Sequence, residues 1–99
     1  MQLGEESTSV GALVAIEVTP MHQMTSGKMA AQCAHAAQLA WESPQMPPAL
    51  RQAWARDGYR VRVLLPGPQE WAGGLRPVSV LDAGLTELGG PTETARAFW

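Results

Sequence analysis

The sequence is short of several features that define whole classes of protein. It has one cysteine in 99 residues, so no disulfide can form within the chain, and a single thiol fits a reducing compartment. It has no apolar run of about 18 residues, which a membrane-spanning helix needs. Glu5 and Glu6 stand where a secretory signal peptide carries positive charge. We therefore expect a cytoplasmic protein with no membrane partner.

Charge is also scarce and unevenly placed. Charged residues make up 16% of the chain and the net charge is −2, so there is no global attraction to nucleic acid. Five of the seven basic residues nevertheless fall within residues 51–76, where Asp57 and Glu70 oppose them and leave a local charge of five minus two, or +3. This stretch is either a solvated face or an anion-binding face. Its basic residues are Arg51, Arg56, Arg60, Arg62 and Arg76.

The apolar content is sufficient for one small core. Apolar residues make up 45% of the chain and include four tryptophans, and 99 residues correspond to one domain. Residues 1–9 are polar and contain glycine and serine, which predicts a disordered tail. The remaining residues, 10–99, are expected to form the domain.

Hydrophobic patterning predicts an alternation of strands and helices. Residues 10–18 are apolar on both faces, as in a central buried strand. Residues 27–42 are rich in alanine and contain no proline, which predicts a helix capped by Thr25 or Ser26 and ended by Pro44. The other predicted elements are a helix at 47–57, a half-exposed strand at 59–65, one helical turn at 69–72, and strands at 78–81 and 94–99.

This order of elements predicts an α/β fold with a mixed four-stranded β-sheet. Crossover rules favour a parallel arrangement of the first and third strands. The loop after Val18 and the residue after Leu81 then lie at the same edge of the sheet, where open α/β sheets place their active sites. Lys28 and Asp82 would be neighbours there, although 54 positions separate them.

Three polar residues share one stripe of the alanine-rich helix. Gln32 and His35 follow Lys28 by four and seven positions. Lys28, with the free N–H groups of the first helical turn, can form an anion site. The stripe predicts a polar crevice beside the sheet edge, although His35 also fits a buried core histidine. Cys33 is interpreted as a small buried apolar residue.

Two segments resemble the signature motifs of the type II peptidyl-tRNA hydrolases. The first is MTSGKMAAQCAHA at residues 24–36. The second is DAGLT at residues 82–86, followed by Pro91 and by Thr94, which opens the last predicted strand. The resemblance covers about residues 11–99. It implies a three-layer domain in which the mixed four-stranded β-sheet is flanked by helices, and it implies a homodimer. The activity that it implies is hydrolysis of the ester bond between peptide and tRNA in peptidyl-tRNA, which releases free tRNA.

The resemblance also implies a set of site residues. It assigns catalysis to Lys28, Gln32, Asp82 and Thr86, and substrate binding to His35 and Thr94. Ester hydrolysis needs a positioned water, a base or orienting group, and donors for the oxyanion, and these residue types can supply them. No cofactor and no metal are expected.

The arginines of the half-exposed strand suggest a further contact with substrate. Arg60 and Arg62 alternate with Tyr59, Val61 and Val63, so they face away from the apolar side and can meet tRNA phosphates. The crossover at residues 65–76 is only 12 residues long, which is too short to cover this strand with a long helix. The uncovered face can instead pair with a second subunit, which also favours a homodimer.

Two alternatives remain open from the sequence. Ser26 stands where the family often carries a second lysine, and Thr19, Pro20 and Met21 stand where it has an arginine and an acidic residue. These differences fit a non-catalytic member of the same fold that binds an RNA end or a protein. A metal-binding protein built on His22 and His35 has less support.

Overall fold

The protein is an α/β domain, described by a computed structural model over residues 11–82 and 92–99. These residues form four strands and three helices, and none of the helices within them has both the length and the apolar character needed to cross a membrane. The predicted tail, residues 1–9, lies outside the described residues. The elements are β1 (Val14–Val18), α1 (Ser26–Glu42), α2 (Pro48–Arg56), β2 (Val61–Leu64), α3 (Pro68–Gly73), β3 (Val78–Asp82) and β4 (Thr92–Phe98).

The described strands form one mixed sheet in the order β2-β1-β4-β3. β1 is parallel to β2, and β4 is antiparallel to both β1 and β3. The strands β1, β2 and β3 therefore run in the same direction, which confirms the prediction for the first and third strands. Their carboxyl ends, at Val18, Leu64 and Asp82, lie at one edge of the sheet together with the first residues of β4.

The hydrophobic core lies between one face of the sheet and the helices α1 and α2. Small residues, Ala36 and Ala40, allow α1 to approach the sheet closely, and α2 contributes the buried indole of Trp54. Val14 and Ile16 of β1 lie in register with Val61 and Val63 of β2, so these valines share the core face as the alternation predicted. The other strand residues of the core are Val78, Val80, Ala95 and Ala97.

The opposite face of the sheet carries buried charge and is covered by α3. Glu17 and Arg96 lie in register on β1 and β4, and both are buried. Arg96 stacks 3.6 Å from the ring centroid of Trp71 in α3 and donates a 2.6 Å hydrogen bond to the Trp71 carbonyl. Arg76 binds Glu17 through two hydrogen bonds of 2.9 and 3.1 Å. With α1 and α2 on one face and α3 on the other, the domain has the predicted three layers.

Two predicted strands begin later than the pattern indicated, for local reasons. β1 begins at Val14 rather than at residue 10, and Gly11 has a left-handed φ of 82° that is incompatible with an extended chain. β2 begins at Val61 rather than at residue 59, because Tyr59 also has a left-handed φ, of 59°. The Tyr59 side chain instead packs against Trp54.

The Glu93–Arg96 pair predicts a loss of stability in acid. Two hydrogen bonds of 2.8 Å from Arg96 lower the pKa of Glu93 below its ordinary value of 4.5, and Ser79 adds a hydrogen bond of 2.6 Å. A carboxyl with a depressed pKa stabilises the fold above its unfolded pKa, and this contribution is lost as the pH falls through the folded value. We expect Glu93→Gln to lower the free energy of unfolding at pH 7 by about 1–3 kcal/mol, and by less near pH 3.

Urea unfolding of the wild type and of Glu93→Gln at pH 7, 5, 4 and 3 measures this effect. Glu70→Gln is the matched control, because Glu70 is an exposed carboxylate that accepts from the Gly67 N–H rather than from a buried arginine. A difference between wild type and Glu93→Gln that stays constant from pH 7 to pH 3 would contradict the prediction.

Candidate functional site

An ion pair joins the start of α1 to the end of β3. Thr25 caps α1 by accepting a 3.1 Å hydrogen bond from the Lys28 N–H, which confirms one of the two predicted caps. This cap places Lys28 in the first turn, where a cation opposes the helix dipole. Asp82, the last residue of β3, compensates this unfavourable position, because its Oδ2 lies 2.5 Å from the Lys28 Nζ.

Gln32 connects this ion pair to β4. Its Nε2 donates a 3.1 Å hydrogen bond to the same Oδ2 of Asp82, and its Oε1 accepts a 2.6 Å hydrogen bond from the Thr94 hydroxyl. An ionised carboxylate only accepts hydrogen bonds, so Asp82 fixes which end of the Gln32 amide faces it. The four side chains form one chain of polar contacts in the order Lys28, Asp82, Gln32 and Thr94.

A β-bulge directs Thr94 toward the helix. In the pairing of β3 with β4, Val80 is opposite Ala95 and Leu81 is opposite Glu93, so Thr94 is the extra residue. A bulge of this kind re-aims a side chain that strict alternation would place on the other face. Thr94 can therefore reach Gln32 of α1 while its neighbour Ala95 stays in the core on the same side.

Burial decreases along this chain from the core toward the surface. Thr94 is fully buried and Gln32 is 8% exposed. The Asp82 side chain is 15% exposed and that of Lys28 is 36% exposed. A ligand would therefore meet the ammonium and the carboxylate first, while the Gln32 amide holds Asp82 from the buried side and the Thr94 hydroxyl holds that amide.

A cavity borders the same helix terminus. It has a volume of about 490 Å³, and the loop before α1 and the first turn of α1 form its wall. The lining includes the flexible side chains of Met24 and Met29, which adapt to varied ligand shapes. The lining residues are His22, Gln23, Met24, Thr25 and Met29.

The structure brings together four of the predicted site residues and places three others, His35, Arg60 and Arg62, elsewhere. Lys28, Gln32, Asp82 and Thr94 are in contact, whereas Thr86 lies outside the described residues. His35 is exposed on α1, so it is not a core histidine, and it takes no part in the chain of contacts through Gln32. The helix buries Gln32, Ala36 and Ala40, which are four residues apart, and this spacing turns residue 35 toward solvent.

The two predicted arginines do not lie at the Lys28–Asp82 edge. Arg60 precedes β2 and is therefore at the opposite edge of the sheet, where it binds Asp57 in an ion pair of 2.7 Å. Arg62 lies within β2, in register with Ala15 on the face opposite the core. Neither position is next to the Lys28–Asp82 pair.

Cys33 has the features of a packing residue. It is half-buried against the core, and burial raises the pKa of its thiol above the ordinary value. A raised pKa disfavours the reactive thiolate at neutral pH. Among residues 11–82 and 92–99, no group of three or more histidine, cysteine or acidic side chains is arranged to hold a metal ion.

The connection between Gln32 and Thr94 predicts a coupling in stability. Gln32→Leu leaves the fully buried Thr94 hydroxyl without its acceptor, which costs about 1–3 kcal/mol. Thr94→Val removes the hydroxyl, so adding it to Gln32→Leu is expected to recover much of this loss. Urea unfolding of the two single variants and the double variant gives the coupling energy. Strictly additive losses would contradict the hydrogen bond.

The comparisons with known proteins do not assign the chain to a family. No family model matches the sequence, and the search of curated proteins finds no significant match.

Proposed function

We propose that this protein hydrolyses the ester bond between peptide and tRNA in peptidyl-tRNA. The observation that carries the proposal is the contact of Lys28, Gln32 and Asp82 at the carboxyl edge of the parallel strands, with Thr94 behind them. Lys28 and Gln32 belong to one motif and Asp82, which is 54 and 50 positions further along the chain, belongs to another, and both motifs resemble those of one hydrolase family. Their contact supports the common site that the resemblance implies.

The proposed roles follow from the position of each side chain. Asp82 orients a water molecule and accepts its proton as the water oxygen attacks the ester carbonyl carbon. The bond from that carbon to the ribose oxygen then breaks, and the proton passes to the ribose oxygen. Lys28, the more exposed partner, stabilises negative charge on the carbonyl oxygen or on a nearby phosphate.

Gln32 and Thr94 act as positioning residues in this proposal. Gln32 holds the Asp82 carboxylate through its amide, and Thr94 fixes that amide from the buried side. The substrate-binding role that the resemblance implies for Thr94 is therefore indirect, because its side chain is fully buried. Thr86, His35 and the arginines Arg60 and Arg62 remain proposed contributors to catalysis or to tRNA contact.

A hydrolysis assay tests the proposal directly. The purified protein is mixed with an N-acetylated aminoacyl-tRNA, and released free tRNA is measured over time. We expect release well above the spontaneous rate measured without protein, and slower release from the same aminoacyl-tRNA without the acetyl group. Release at the spontaneous rate would reject the proposal.

The ion pair itself favours one alternative, a non-catalytic module that binds an RNA end. Both charged groups of the site are already paired with each other at 2.5 Å, which suits an anion-binding lysine held in place by an aspartate. This function predicts binding of deacylated tRNA that Lys28→Met abolishes, without turnover of peptidyl-tRNA by the wild type. Turnover by the wild type would reject this alternative.

We also propose that the chain forms a homodimer. All four residues of β2 are only partly buried, because the short helix α3 packs over Arg96 of β4 rather than over β2. Leu65, directly after β2, adds exposed apolar surface beside it. Sedimentation at micromolar concentration should give twice the chain mass of 10.6 kDa, and a clean monomer would contradict the proposal.

A further inference from the structure

Three aromatic rings meet at the surface where α1 and α2 end. Trp41 lies near the end of α1, Trp54 lies in α2, and Tyr59 follows α2. The ring centroids are 5.4 Å apart for Trp41 and Tyr59, 5.5 Å for Trp54 and Tyr59, and 6.3 Å for the two indoles. Trp54 is buried, whereas Trp41 is 37% and Tyr59 is 51% exposed. The Trp41 and Tyr59 rings meet edge to face at 77°, and their exposed parts form what we call the aromatic platform, supported from below by Trp54.

The backbone of Tyr59 indicates that this ring is held at the surface at some cost. Its φ of 59° follows the 77° of Gly58, and the Tyr59 N–H donates a 2.9 Å hydrogen bond to the Trp54 carbonyl. A left-handed φ is strained for a residue other than glycine or asparagine. Strain retained for an exposed aromatic ring suggests a function in binding.

Arg51 lies beside the platform and Arg56 lies three residues before Tyr59, and neither has a carboxylate partner among the described residues. Arg51 donates to the carbonyls of Trp41 at 2.9 Å and Ser43 at 2.8 Å, and its guanidinium carbon is 5.8 Å from the Trp41 ring centroid. Carbonyls orient this guanidinium but leave its charge uncompensated. Arg56, in the last turn of α2, is exposed and forms no ion pair within the described part of the chain.

Acidic groups in the same region are few. Asp57 is already bound to Arg60. Apart from Asp57, the nearest carboxylate in the sequence is that of Glu42, which directly follows Trp41. The Glu42 carboxylate accepts a hydrogen bond from Gln38 and is exposed. A carboxylate repels phosphate but accepts a hydrogen bond from a ribose 2′-hydroxyl, which deoxyribose lacks.

We propose that the aromatic platform binds single-stranded RNA. Unpaired bases would stack on the Trp41 and Tyr59 rings, as they do on aromatic surfaces of single-strand-binding proteins. Arg51 and Arg56 would attract the phosphates, and Glu42 would accept from a 2′-hydroxyl. This binding site is separate from the Lys28–Asp82 site of the proposed hydrolysis. Trp41 follows Lys28 by 13 residues on α1, which corresponds to about 20 Å at 1.5 Å per residue.

The test measures binding of a fluorescein-labelled ten-nucleotide uridine RNA by anisotropy at about 50 mM salt, with the matching thymidine DNA as the second arm. Trp41→Ala and Tyr59→Asn each remove one ring, and asparagine tolerates the left-handed φ, so the second variant keeps the backbone. Loss of one stacking surface should weaken binding by about 5- to 150-fold. Arg56→Gln should lower the dependence of binding on salt.

Leu75→Ala is the matched control, because Leu75 is 95% exposed but lies in the loop between α3 and β3. It should bind the RNA as the wild type does, and circular dichroism should confirm that all variants fold. RNA binding that Tyr59→Asn leaves unchanged would overturn the proposal, as would equal affinity for the DNA. A dimer that Trp41→Ala converts to a monomer, with RNA binding unaltered, would instead assign the platform to subunit contact.

Discussion

Substitution of Asp82 by asparagine is expected to lower the rate of peptidyl-tRNA hydrolysis by about 10²- to 10⁴-fold, the usual contribution of a positioned acid or base. The physical reason is that an amide cannot accept the proton of the attacking water. Asparagine keeps the size of the side chain and an acceptor oxygen for Gln32, so the fold should change little. Initial rates at saturating substrate, together with thermal unfolding, measure the two effects separately.

Asp57→Asn provides the matched control for this experiment. Asp57 also forms a short ion pair with a basic side chain, but it binds Arg60 at the opposite edge of the sheet. It should turn over substrate at the wild-type rate. Near-normal turnover in Asp82→Asn would exclude Asp82 as the base, and a large loss of thermal stability would assign Asp82 a structural role.

Truncation of Trp54 to alanine should produce the largest loss of stability in the domain, about 3–5 kcal/mol. The indole is 1% exposed and is among the largest fully buried side chains of the described residues. It contacts Trp41 and Tyr59, and its Nε1–H donates a 2.9 Å hydrogen bond to the Arg60 carbonyl. A loss of this size is a large share of the stability of a small domain.

Urea unfolding measures this loss, and a second variant separates packing from hydrogen bonding. Trp54→Phe keeps an aromatic ring but leaves the Arg60 carbonyl without its donor, so it should cost less than Trp54→Ala. Leu75→Ala, a truncation of a 95% exposed side chain, should change stability by less than about 0.5 kcal/mol. A Trp54→Ala variant as stable as Leu75→Ala would contradict the burial described for Trp54.

The main contact of the candidate site followed from sequence patterns. A continuous apolar run predicted a buried first strand, the alanine-rich segment predicted α1, and crossover rules aligned the first and third strands. Together these patterns bring Lys28 and Asp82 to one edge, and the two side chains are 2.5 Å apart. This inference worked because periodicity and crossover direction are properties of local sequence and chain connectivity.

Other features depend on contacts that local patterns do not encode. The bulge at Thr94 is set by the pairing of β4 with β3, so its link to Gln32 was not predictable from spacing. Arg96 is 7% exposed, although a charged residue in a strand predicts a solvent-facing position; the Trp71 ring and Glu93 compensate its burial. Tyr59 continues an alternating strand pattern in the sequence. In the structure it has a left-handed φ and packs on Trp54, so β2 starts later than the pattern predicts.

The position of β4 has a consequence for how the protein forms during translation. β4 comes after the other described strands in the chain, yet it lies between β1 and β3 in the sheet. A nascent chain that has emerged through β2 can pair β1 with β2, whereas β3 has no partner among the described strands until β4 leaves the ribosome. Thr94 and the pairing that positions Asp82 arrive with β4, so the Lys28–Asp82 site is assembled only after β4 has emerged rather than progressively.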